Sequence, residues 1–169
     1  KGAVEPARRW TWEEFRALPS ETVTGLSEPD HPFPRPNVHE RLDRALARIK
    51  PDVVVACYGM NDGIYYPFAE ERFVQYQQGI RKVVAKARAA GASVILMTPP
   101  PFDPLPVKAK LLPLNAPKFS WVNPYERYNE VLERYSRWLL TLRGEGLPVA
   151  DPHRETAMFM QAIRTKESV

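Results

Sequence analysis

Pro51-Asp52-Val53-Val54-Val55-Ala56-Cys57-Tyr58-Gly59-Met60-Asn61-Asp62-Gly63 is the stretch on which the fold turns. From Asp52 to Tyr58 it is a short, β-branched apolar run bounded by Pro51 and Gly59. A run without alternation predicts a strand buried on both faces, as in a parallel sheet. Gly59, just past the strand, lets the backbone turn sharply or approach a ligand closely. Asn61 can aim a neutral amide donor into the crevice beyond the strand, where developing negative charge on oxygen is better met by N–H than by a carboxylate. Asp62 can anchor the turn by accepting backbone N–H groups. Gly, Asn and Asp are also the ordinary residues of turns, so the tetrad alone does not separate chemistry from a plain strand-to-loop turn.

The flanking segments decide what surrounds that strand. Upstream, Asn37 caps a helix in which Val38, Leu42, Ala45, Leu46 and Ile49 recur at three- and four-residue spacing, ended by Pro51. Downstream, a helix over 69–90 turns Phe73, Tyr76, Ile80, Val83, Val84 and Ala87 inward, and Gly91 stops it. Ser93-Val94-Ile95-Leu96-Met97-Thr98 is a second buried strand, broken by Pro99-Pro100-Pro101. After a proline-rich loop, Asn123-Pro124 opens a helix carrying Tyr128, Val131, Leu132, Tyr135, Trp138 and Leu139 inward, closed by Gly144 and Gly146. Leu147-Pro148-Val149-Ala150-Asp151 is a third, shorter strand, and 153–165 a last helix. Helix and strand alternate throughout, which predicts right-handed crossovers and a parallel sheet covered on both faces. Residues 19–37, with five prolines, form a long irregular loop, and Thr11-Trp12-Glu13-Glu14-Phe15 opens a short helix.

Composition bounds the function. The chain has 169 residues, 44% hydrophobic and 26% charged, which suits one globular domain spanning 1–169. No segment is long and apolar enough to span a membrane, and a net charge of +4, dispersed along the chain, gives no case for nucleic acid. One cysteine makes no internal disulfide, and no Cys/His cluster has zinc spacing, so neither metal nor cofactor is expected. No glycine-rich phosphate loop follows any strand, which disfavours a nucleotide-binding domain. Prolines are clustered, 18 against 8 glycines, and mark rigid loops. The chain begins at Lys1 without an initiator Met and ends within a helical pattern, so both ends are expected to be cut from something longer.

In its context, Pro51 to Asp62 resembles the third conserved block of the SGNH (GDSL-type) hydrolases, whose signature is Gly-x-Asn-Asp at the end of a strand. Supporting similarity runs from about Leu18 to Asp151 and includes Leu42-Asp43, Lys50-Pro51-Asp52 and Val94 to Pro101. The resemblance implies a three-layer α/β/α, flavodoxin-like parallel sheet and ester hydrolysis by a serine mechanism without a metal. By that mapping Asn61 is an oxyanion-hole donor, Gly59 shapes the turn beneath it and Asp62 supports the loop. Tyr58 and Tyr65 flank the turn as candidates to line a substrate pocket, with aromatic packing under the loop as the alternative. Ala17-Leu18-Pro19-Ser20-Glu21-Thr22 resembles the second block, with Ala17 where the family has glycine.

The family's nucleophile block, Gly-Asp-Ser, occurs nowhere in the chain, and neither does its Asp-x-x-His pair. The first strand, with the serine, is therefore expected before residue 1, and the acid–histidine loop beyond Val169. Asp151-Pro152-His153 is a rival acid–imidazole pair, but its spacing is Asp-x-His, and a capping Asp beside a surface His is the plainer reading. Ser20 is read as a turn residue, His31 and His39 as solvated, Cys57 as a small buried hydrophobe, and Lys108, Lys110 and Lys118 as plain solvation. The partners expected are a small-molecule or carbohydrate ester, with no nucleic acid and no membrane; compartment and oligomeric state stay open. The alternative function is a non-catalytic binding or interaction domain on the same fold.

Overall fold

The computed structural model describes residues 24, 25 and 38–167. Four helices and three strands alternate: α1 (Val38–Ile49), β1 (Val53–Cys57), α2 (Glu70–Ala89), β2 (Ser93–Met97), α3 (Tyr128–Thr141), β3 (Val149–Ala150) and α4 (Pro152–Glu167). The strands form one parallel sheet in the order β1-β2-β3, with Val53 opposite Ser93 and Leu96 opposite Val149. Parallel pairing of successive strands across helices is what the alternation dictates.

α2 carries the main apolar stripe. Tyr76, Gly79, Ile80, Val83, Val84 and Ala87 are buried, while Phe73 is only half-buried. Gly91 takes φ +87°, and Ala92 N–H reaches back to Ala87 O at 3.0 Å, so the left-handed residue closes the helix and turns the chain into β2. α3 packs beside α2 through rings: Tyr135 stacks on Tyr76 at 4.5 Å, and Trp138 meets Phe73 edge-on at 6.2 Å. α1 lies along α2, where Lys86 Nζ bonds both His39 O and Asp43 Oδ2.

Four local expectations need correction. β1 is not buried on both faces: Val53 and Val55 are 50% and 58% exposed, and Cys57 on the same side is exposed too. Only the face bearing Ala56, Val94, Leu96 and Val149 is closed, so helices on both faces are not seen among the described residues. Ile49, the last residue of α1 before Lys50 turns out of the helix at φ +48°, is exposed. α3 starts at Tyr128 rather than at Asn123-Pro124. There, Asn123 N–H goes to Ser120 Oγ, and Tyr125 pairs in a parallel bridge with Leu112, which holds these residues out of a helical turn. Between β2 and α3 the chain also makes a 3₁₀ turn, Leu105–Lys110, that the proline pattern did not announce. Asn37 lies outside the described residues.

Residues 24 and 25 sit against α2 at Gly79. A Cβ added at Gly79 would lie 2.3 Å from Thr24 C and 2.4 Å from Thr24 O; one added at Gly25 would lie 2.0 Å from Gln75 O. These are backbone contacts and have nowhere to go. On an open helix surface Gly→Ala stabilises by about 1 kcal/mol. Gly79→Ala is expected to do the opposite, lowering stability by about 2 kcal/mol through overpacking, as read from the urea midpoint.

Candidate active site

The loop leaving β1 at its carboxyl end carries Gly59, Asn61 and Asp62, and it is held from three directions. Gly59 has φ +129°, and a Cβ there would come within 3.0 Å of the Pro99 ring; glycine suits both constraints. Gly63 N–H returns to Gly59 O at 3.3 Å and Ile64 N–H to Asn61 O at 3.1 Å, closing two tight turns. Ile64 and Tyr65 then both adopt left-handed φ, +51° and +62°, a conformation costing about 1–2 kcal/mol for each non-glycine residue. Strain of this kind persists only where the surroundings over-determine the backbone.

Those surroundings are buried tyrosines. Tyr76, from α2, donates its hydroxyl to Tyr58 O at 3.2 Å, and Tyr128, from α3, donates to Met60 O at 2.5 Å. Both rings are fully buried, and desolvation lifts both phenols well above their ordinary range, so they stay protonated donors. Gly63 makes room for the second contact: a Cβ there would lie 2.3 Å from the Tyr128 hydroxyl. Tyr65 stacks on Tyr128 at 5.0 Å and meets Phe102 edge-on at 6.0 Å, while its carbonyl accepts Tyr125 N–H at 2.9 Å. Tyr58 and Tyr65 are thus half-buried, and Tyr65 packs within the aromatic cluster under the loop.

The third hold is Asp62, which is buried. Its Oδ1 accepts Thr24 N–H at 2.7 Å and the Thr24 hydroxyl at 2.8 Å, while Oδ2 accepts no hydrogen bond. Burial pushes this carboxyl up to about 6, against the pull of the Thr24 bonds and of the backbone N–H groups of Gly59 and Gly25. Asn61, between these anchors, is half-buried, and its carboxamide hydrogen-bonds to no described residue. The cleft of about 220 Å³ lined by Ile80, Arg81, Val84 and Leu147 belongs to another part of α2.

Thr24 and Gly25 were not singled out in the sequence. Their only signal is a glycine in Val-Thr-Gly-Leu, ahead of the prolines, and nothing in that pattern points to α2 or Asp62. Ala17, Ser20 and His31 lie outside the described residues. His39, expected to be solvated, is half-buried, and desolvation lowers its pKa.

The Asp151–His153 pair is brought to the rim but not to each other. Asp151 Oδ1 accepts from Thr98 Oγ1 at 2.8 Å, and His153 Nδ1 lies 2.9 Å from Pro99 O. His153 is buried rather than at the surface, and its backbone N–H donates to Thr98 Oγ1 at 3.1 Å. With a carbonyl as its neighbour, Nδ1 carries the proton. The pair therefore fastens the Pro99 turn to the start of α4. Cys57 is exposed rather than buried, yet desolvation of its thiol raises the pKa, which opposes reactivity. Among the described residues no group of His, Cys, Asp or Glu could hold a metal ion.

The profile of the GDSL-like lipase/acylhydrolase family matches residues 5–168. The chain belongs to that family. Comparison with curated proteins gives no match. Among solved structures, the chain resembles a catalytic mutant of an acetylxylan esterase from Geobacillus stearothermophilus, with a TM-score of 0.50 and 17% identity. That likeness covers 73% of this chain and 52% of the esterase, so it supports the fold, and the chain spans about half the length of that structure.

The buried carboxyl of Asp62 sets a pH dependence of stability. Its folded pKa, about 6, lies above the ordinary 3.8, so between those values the folded state holds more protons than the unfolded one. Stability is therefore expected to fall as pH rises from about 4 to about 6, by about 3 kcal/mol, and to level off above that. Urea unfolding across this range should show the decline in the native chain and lose this component in Asp62→Asn.

Proposed function

We propose that this chain carries the oxyanion-stabilising side of an ester hydrolase that works through a serine nucleophile. The observation that supports the reading is the Asn61 carboxamide, bonded to no described residue, at the carboxyl end of β1 on a loop anchored by Tyr76, Tyr128 and Thr24. A donor held in this way costs little reorganisation when charge develops on a carbonyl oxygen, which is the requirement for lowering an acyl-transfer barrier. In this reading Gly59 provides the turn, Asp62 secures the loop, and Tyr58 and Tyr65 shape the wall beside it. The substrate is an acyl or acetyl ester, with an acetylated carbohydrate as one case.

The nucleophile and its base come from elsewhere, since neither Gly-Asp-Ser nor Asp-x-x-His is among the 169 residues. The edge of β1 away from β2 carries no strand among the described residues. A further parallel strand paired there would end about 4.8 Å from Tyr58-Gly59, one strand spacing, which would bring a serine at its tip beside Asn61. The serine would attack the acyl carbon, a histidine would take its proton and give it to the leaving alcohol, and water, deprotonated by the same histidine, would then release the acyl group as the acid and restore the serine, with Asn61 binding the oxyanion in both halves. Helices over the face bearing Val53 and Val55 would then make the widened sheet the middle of three layers within a single domain.

The test has two arms. The 169-residue chain is expected to leave p-nitrophenyl acetate unhydrolysed and to resist a fluorophosphonate probe. A polypeptide joining it to Gly-Asp-Ser and Asp-x-x-His blocks is expected to hydrolyse the ester and to take the label, and Asn61→Ala in it to lower kcat about 10²- to 10³-fold with KM little changed. Labelling of the 169-residue chain, or an Asn61→Ala enzyme with full kcat, would overturn the reading.

A further inference from the structure

The excursion over residues 104–125, between β2 and α3, combines exposed cations with exposed apolar side chains. It contains no Asp or Glu, and its three lysines, Lys108, Lys110 and Lys118, are exposed and ion-paired to no described residue. Four of its large apolar side chains also face water: Leu105 is 55% exposed, Leu114 63%, Trp121 66% and Val122 39%.

This exposure is built in. Five prolines stiffen the segment, Leu112 N–H bonds Pro124 O at 2.9 Å, and Glu126 N–H returns to Leu112 O at 3.0 Å. Asn123 Nδ2 reaches Lys110 O at 3.4 Å. Within that frame the apolar residues divide. Phe119 and Tyr125 are buried and Leu112 half-buried against the core, with Phe119 packed on the Tyr66 ring at 5.5 Å. Trp121 and Leu114, each two residues from an anchor, stay out. Exposed apolar side chains usually scatter singly, whereas four here fall on one segment that also carries three exposed lysines.

We infer that the 104–125 excursion is a docking surface for an anionic lipid interface. Charge complementarity selects the occupant: of the bordering carboxylates Asp103 is paired with Arg164, so the three ammonium groups outweigh Glu126 and favour a negative surface, and three aliphatic chains plus one indole favour the acyl boundary behind it. A neutral polysaccharide would use rings for stacking and gain nothing from the lysines. Lysine stems lie along apolar surface while their heads stay in water, which suits the headgroup layer. The excursion touches the candidate site directly, since Tyr125 N–H bonds Tyr65 O and Phe119 packs on Tyr66. Docking there would place the Asn61 loop next to the interface. The sequence alone made no case for a membrane partner; no helix among the described residues is long and apolar enough to cross a bilayer, and a peripheral contact needs none.

Vesicle co-sedimentation tests it on the 169-residue chain, with no catalytic activity required, so its outcome is independent of the ester-hydrolase reading. Binding is expected to vesicles of phosphatidylcholine mixed with phosphatidylserine, and little to phosphatidylcholine alone. Lys110→Gln is expected to weaken it about fivefold, and the triple Lys→Gln variant at 108, 110 and 118 to abolish the difference between the two vesicle types. Trp121→Ala is expected to weaken it on the order of tenfold, and Trp121→Phe to remove the blue shift of tryptophan emission on binding. All of these side chains are exposed, so an unchanged urea midpoint confirms folding. No binding to either vesicle, equal binding to both, or retention only on acetylated xylan would overturn the inference.

Discussion

A single buried carboxylate oxygen holds two distant parts of the chain together. Asp62 Oδ1 takes both the backbone N–H and the hydroxyl of Thr24, thirty-eight residues away in sequence. Charged-group hydrogen bonds of this kind are worth about 1.5–3 kcal/mol each, and leaving the carboxyl unpaired in the interior would cost at least as much. The contact also needs room: Thr24 reaches Asp62 only because Gly79 and Gly25 let two backbones touch. The Asn61 loop, the Thr24-Gly25 segment and α2 therefore form one unit, and a change at any of the three disturbs the others.

The loop's other supports share that logic. Tyr76 and Tyr128 spend their hydroxyls on the carbonyls of Tyr58 and Met60, on either side of Gly59. Each hydroxyl gains a partner that the interior otherwise denies it, and each carbonyl is fixed in direction. Two consecutive left-handed non-glycine residues, Ile64 and Tyr65, are tolerated beside this clamp because the ring stack of Tyr65 on Tyr128 and the Tyr125–Tyr65 backbone bond hold them there.

Much of this was legible in the sequence, for identifiable reasons. The stripe of α2 was plain because Tyr76, Ile80, Val83, Val84 and Ala87 repeat with helical period and Gly91 terminates them. The position of Gly59-Met60-Asn61-Asp62 at a strand's end followed from the apolar run before it. The exposure of Val53, Val55 and Cys57 was not legible, because a run of β-branched residues says that a face can be covered, not which other element covers it. The start of α3 was misread because Asn123-Pro124 satisfies the local rule for a helix start, yet Tyr125 is committed to a bridge with Leu112 and to Tyr65 O. Thr24-Gly25 was illegible for a similar reason. Its meaning lies in contacts with Asp62, Gln75 and Gly79, and no short-range pattern encodes them.

The two faces of the sheet divide the work. The closed face carries Ala56, Val94, Leu96 and Val149 against a core that includes Tyr76, Tyr128 and Tyr135. The open side of β1 leaves two valines about half exposed, and covering them would gain about 1 kcal/mol each. That sum is comparable to a large share of a domain's whole net stability, so the cover of that side has strong leverage over whether the sheet persists. It has much less over the geometry of the Asn61 loop, because the hydroxyls and the carboxylate that fix this loop all belong to the buried cluster on the closed side. The backbone course of the Asn61 loop is thus set by the part of the molecule least sensitive to what happens at the open side of β1.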